Sequence, residues 1–146
     1  MRKELEDTQR MEKPLPHSAE AERAILGTIL LDNNVAYEAT ATITPDMFYL
    51  PSNRTIYSAI IALIAEHKVA DPITVLHTLS NEGNADYVGG LTNLTNLTYG
   101  VPMGGDIKEY LKIVKDLAQA RNLIKLCQRT IAEVLDEPAS TNALTD

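Results

Sequence analysis

Residues 105–136 read GDIKEYLKIVKDLAQARNLIKLCQRTIAEVLD, and within them Tyr110, Ile113, Leu117, Ala120, Ile124, Cys127, Ile131 and Val134 recur at alternating steps of three and four. That spacing is a heptad seam, an apolar line kept on one side of an α-helix. At 1.5 Å per residue it predicts a straight helix of roughly 36 Å, longer than a small globule needs. A second stripe, Ile107, Leu111, Val114 and Ala118, runs beside the seam and then gives way to Arg121 and Lys125. The change of face implies that the first half of the helix packs against a domain while the second half needs a partner helix. Cys127 lies on the seam, where a small buried hydrophobe is expected.

Charge separates this helix from the rest of the chain. Residues 106–135 hold six Lys+Arg (Lys108, Lys112, Lys115, Arg121, Lys125, Arg129) against four acids (Asp106, Glu109, Asp116, Glu133), or +2. The 146-residue chain has 13 Lys+Arg and 20 Asp+Glu, which leaves seven cations against sixteen acids, or −9, on everything else. Arg121, Lys125 and Arg129, at steps of four, make a basic strip suited to an acidic helix. A net charge of −7 repels a phosphate backbone, so DNA binding is expected to be weak and salt-sensitive.

Upstream, PHSAEAERAILGTILLD (16–32) opens with Ser18 as N-cap and Glu20 and Glu22 near the positive end of the helix macrodipole. Ala21, Ala24, Ile25, Thr28 and Ile29 share one face and Leu26 and Leu30 widen it, so this helix is largely buried and ends near Asp32-Asn33-Asn34. Helix-start chemistry accounts for His17 and Glu20 better than catalysis does. NNVAYEATATI (33–43) allows a short helix, and Thr44 and Pro45 open another. Ile56, Ile60, Leu63 and Ile64 follow a helical period from Ser52 to His67, with Ser52 or Asn53 as cap. Asp71 or Thr74 caps a helix carrying Val75, Leu76 and Leu79, which Gly83 stops. LTNLTNLT (91–98) follows a Gly89-Gly90 break and predicts a short helix with Leu91, Leu94 and Leu97 toward the core; YGVPMGGD after it is a flexible link. The fold class is all-α: a small globular helical bundle followed by a long helix.

Composition narrows the function. With 45% apolar residues the chain can bury one real core. Cys127 is the sole cysteine, so an internal disulfide and a cysteine-rich zinc site are both excluded. The opening MRKELEDTQRMEKPL is charged and lacks the apolar centre of a signal peptide, and no stretch nears the ~20 apolar residues of a membrane span, so a cytoplasmic protein is expected. The sequons at Asn53, Asn93 and Asn96 are then not expected to carry sugar. There is no Gly-rich phosphate loop, no G-x-S-x-G and no H-E-x-x-H. His67, Asp71 and His77 are the one metal-like trio, but Asp71 before Pro72 reads as a cap. No catalytic, cofactor-binding or metal-ligating residue is assigned, and no cofactor is expected.

In order and spacing, PHSAEAERAILGTILLD, PDMFYLPSNRTIYSAIIAL, DPITVLHTLSNEGNADYVGGLTNLTNL and IKEYLKIVKDLAQARNLIKL resemble the N-terminal domain of DnaB-type replicative DNA helicases. The likeness runs from Leu15 to Asp136 and rests on joint features: Ala21-Glu22 with Leu26-Gly27, Asp46 with Phe48, Asp71 with Thr74, and Val88-Gly89-Gly90. The organisation expected is a flexible leader over 1–14, a globular helical bundle over 15–104, and over 105–146 the long first arm of a helical hairpin with the truncated start of a second. The resemblance implies pairing through hairpins, a trimer of dimers forming a collar on a hexameric ring, and docking of the C-terminal domain of primase, with a helicase loader as a further partner. ATP and Mg would belong to a separate motor domain that these residues lack. Contact is expected through Arg121, Ile124, Lys125, Cys127, Gln128, Ile131 and Val134, the apolar members burying against a second copy. Two departures stand out: the chain stops at EPASTNALTD, where the second arm would begin, and VPMGGD sets two adjacent glycines in the link. The runner-up is the helicase-interaction domain of a bacterial primase, or a free-standing adaptor of the same fold; a small metal-dependent hydrolase is a distant third.

Overall fold

The computed structural model describes residues 1–11, 13–101 and 106–138, and the described residues contain seven α-helices and no strand. The expectations placed on VPMGGD and on the end of EPASTNALTD therefore lie mostly outside the described residues. The chain divides into two compact units, His17–Gln119 and Met1–Pro16 with Ala120–Asp146.

The first unit is a helical bundle. Helix α2 (Ala19–Leu31) starts where expected, with the Ser18 hydroxyl accepting from the Ala21 N–H at 3.2 Å. It buries Ile25, Leu26 and Ile29 completely and ends at Asp32. Beyond it, the Asn33 side chain donates to the carbonyls of Ile29 and Ala70 (both 2.8 Å) and accepts from the Ala70 N–H (2.9 Å), tying the end of α2 to the loop that follows α4. Helix α3 (Val35–Thr42) leads to a single 3₁₀ turn, Pro45–Met47.

Helix α4 (Pro51–Ala65) departs from its expected start. Neither Ser52 nor Asn53 caps it. Pro51 occupies the first turn, where its missing N–H costs nothing, and Leu50 is the cap residue with no side-chain bond of its own. The amides that lead into the helix go to Glu22 of α2, whose carboxylate accepts from the N–H of Tyr49 at 2.7 Å and of Leu50 at 3.3 Å and from the Asn53 side-chain amide at 2.9 Å. Glu22 is therefore a buried tertiary cap, 1% exposed, and not only an acid at a helix start.

Helix α5 (Pro72–Asn81) carries the expected cap in full: Asp71 accepts from the N–H of Ile73 and Thr74, and the Thr74 hydroxyl accepts from the Asp71 N–H at 2.9 Å. Gly83, at φ +76°, ends it. Helix α6 (Gly90–Asn96) follows Gly89 at φ +88°, a conformation that suits glycine. Leu94 and Leu97 are buried, but Leu91 is 45% exposed. Three-residue steps fall short of a full turn, so six residues rotate the side chain well away from the face that Leu97 shares with the core.

Helix α7 (Ile107–Asp136) is continuous for 30 residues. In its first half the buried side chains are Ile107, Leu111, Val114 and Ala118, the stripe expected to meet the domain. The heptad line stays more open: Ile113 is exposed, and Tyr110 and Leu117 are half-buried.

The second unit holds the rest of α7 and the leader. Where a flexible charged leader is expected, Arg2–Met11 form helix α1, with an acid in its first turn and a base in its last. The side chains of Arg2–Arg10 are all solvent-exposed.

Candidate functional site

The expected contact residues all fall in the second unit, on α7 from Arg121 to Val134. Arg121 departs from the strip assigned to it. It is 4% exposed, and its guanidinium donates to the Pro16 carbonyl at 3.0 Å. A cation this buried must be hydrogen-bonded, so Arg121 serves the fold, and Lys125 and Arg129 are left as the exposed part of the basic strip. Lys112, farther up the helix, donates to Asp116 at 2.6 Å, and that bond holds its ammonium above the usual lysine range.

The apolar members of the site lie open. Ile131 is 50% exposed, Cys127 and Gln128 are exposed, and Ile124 and Val134 are half-buried. Cys127 is thus a surface thiol and not the buried hydrophobe expected on the seam. Three leucines that the seam does not include, Leu123, Leu126 and Leu135, are exposed as well. Their signal was in the sequence: from Leu123 to Leu135 apolar side chains stand on more than one face, and a narrow two-in-seven seam does not describe them. A groove of about 620 Å³ opens along this helix, lined on one side by Ile124, Cys127, Gln128 and Ile131 and on the other by Lys13, Pro14, Leu15 and Pro16. Its walls are mainly apolar. What it offers is surface for another helix.

The distant metal trio does not assemble. The Asp71 carboxylate is committed to two backbone amides, and among the described residues no group of three His, Cys, Asp or Glu side chains stands close enough to hold a metal ion. His67 adopts φ +59° just past the end of α4, and its N–H donates to the Ile64 carbonyl, as in a left-handed helix stop. His17 stacks on Tyr49 with ring centroids 4.0 Å apart. Among the described residues no helix is long and apolar enough to cross a membrane.

Over residues 14–116, which hold the bundle and the first part of α7, the chain matches the family model of the DnaB-like helicase N-terminal domain. The chain belongs to that family. It is 31% identical over 131 residues to the replicative DNA helicase DnaB of Treponema pallidum, covering 90% of this chain and 30% of that one. It therefore spans less than a third of such relatives. Among solved structures, the N-terminal domain of DnaB helicase from Mycobacterium tuberculosis superposes with a TM-score of 0.78 at 28% identity, over 87% of this chain and 96% of the other. The N-terminal domain of DnaB helicase from Helicobacter pylori, solved in a study of its interactions with primase, shares the fold with a TM-score of 0.67 at 22% identity, over 80% and 90% of the two chains.

Proposed function

We propose that this chain is the assembly and docking domain of a replicative DNA helicase, and that it acts by binding proteins and not by catalysis. The observation that carries the reading is the bare apolar surface on the second half of α7, where Leu123, Leu126, Ile131 and Leu135 are between 48% and 75% exposed. A surface of that kind on one helix is a contact awaiting its partner. The first partner is a second copy. Lys125 and Arg129 precede Glu133, Asp136 and Glu137 along the helix, so two copies running antiparallel set base against acid at both ends of a symmetric contact. Repeated as a trimer of dimers, this pairing makes the collar of a hexameric ring.

The second partner is primase, through its C-terminal domain. The Helicobacter pylori protein that shares this fold was studied for its interactions with primase, which supports the assignment. A helicase loader is a third candidate for the same collar. ATP and Mg act in a motor domain elsewhere in the helicase, so this domain needs no cofactor, and its setting is the cytoplasm. Apolar burial at ~25 cal/mol per Å² supplies the affinity, and the charges select orientation and partner.

Sedimentation equilibrium tests the pairing. The chain is expected to be a concentration-dependent dimer, and Ile131→Asp should weaken it at least tenfold, a change of about 1.4 kcal/mol. A chain that stays monomeric at high concentration, or a dimer indifferent to Ile131→Asp, would remove α7 from the account.

A further inference from the structure

The pairing surface is not wholly free within the chain itself. Lys13–Pro16 lie along α7 as one wall of the groove whose other wall is Ile124, Cys127 and Ile131. The segment is built to stay there. Pro14 and Pro16 restrict the backbone to extended forms and give no N–H that could draw it into a helix. Leu15 and Pro16 are half-buried, and the buried Arg121 guanidinium, one turn before Ile124, holds the Pro16 carbonyl. Arg121 pays the cost of burial only if that bond persists, so the contact is part of the folded unit. Ile124, one turn past Arg121 in the same groove, is half-buried.

We infer that Lys13–Pro16 form an intramolecular strap, clasped by Arg121, that covers the Ile124 end of the α7 seam and competes with a second copy of this chain for it. The inference rests on the pairing proposed above and names its regulation. Pairing over the whole seam requires Leu15 to leave the groove, so the strap lowers the apparent affinity by the fraction of chains in which it is closed. Release of the strap lengthens the seam available to the partner from its Ile131 end back to Ile124.

The test uses sedimentation velocity on the full chain. Leu15→Asp, which places a charge against the apolar wall, should tighten self-association by about tenfold with unchanged helicity by circular dichroism. Association that ignores Leu15→Asp, or that weakens with it while helicity is retained, overturns the strap. Ile131→Asp separates the two readings. If it weakens association while Leu15→Asp does nothing, pairing stands and the strap falls. If association ignores Ile131→Asp, the pairing itself falls.

Discussion

Glu22 joins two helices that are distant in sequence. Its carboxylate satisfies the part-buried Tyr49 and Leu50 amides and the buried Asn53 side chain, so removing it strands three donors, one of them fully buried. Glu22→Ala should lower the unfolding free energy by about 3 kcal/mol in urea titrations, since each stranded buried donor costs about 1–3 kcal/mol. Glu20, two residues earlier and exposed, should be nearly silent when changed to Ala. In the sequence the two acids look alike, because both sit in the first turn of a helix; only the arrival of residues 49–53 tells them apart. Tyr57 makes a second prediction. It is fully buried, its hydroxyl donates to the Ile43 carbonyl at 3.1 Å, and burial pushes its phenol up to about 12. An unfolded tyrosine ionises near 10. The folded chain keeps its proton longer, so the stability present below pH 10 is lost as pH rises from 10 toward 12. Tyr57→Phe should flatten that alkaline decline in urea titrations, and an unchanged slope would exclude Tyr57 as its source.

Elements were more legible than single contacts. The Ser18 cap, the Asp71–Thr74 capping box and the stop at Gly83 are local chemistry, and each fell where the residues implied. Asp71→Ala should cost about 1 kcal/mol of stability, as the loss of an N-cap does. The start of α4 was misread because its cap comes from another helix, which no local pattern records. Leu91 was misread because a three-residue repeat drifts around a helix of 3.6 residues per turn. Gly27 shows what close packing between elements demands. A Cβ there would stand 1.9 Å from the Leu97 carbonyl oxygen, so α2 can meet the end of α6 only through glycine. Gly27→Ala should destabilise by about 1–3 kcal/mol through overpacking, outweighing alanine's better helix propensity; thermal unfolding measures this, and a neutral or stabilising change would mean that the two elements separate easily.

Across the whole molecule, the heptad spacing identified α7 as the decisive element, and its first half buries the stripe predicted for it. What spacing could not give was the fate of Arg121, whose role depends on a carbonyl 105 residues away in sequence. The exposed cations that remain, Lys125 and Arg129, should steer partners. Lys125→Glu with Arg129→Glu should slow association with an acidic partner and reduce its salt dependence while leaving helicity intact, as stopped-flow mixing over a salt series would record. With a net charge of −7 the domain should bind single-stranded DNA weakly at physiological salt, so protein contact on the second half of α7 is the central claim. Isothermal titration of the C-terminal domain of the same organism's primase into this chain and into its Ile124→Asp, Ile131→Asp variant tests it most directly. Saturable binding by the unchanged chain, weakened at least tenfold in the variant, is the predicted result. No binding to the unchanged chain, or equal binding to both, would contradict it.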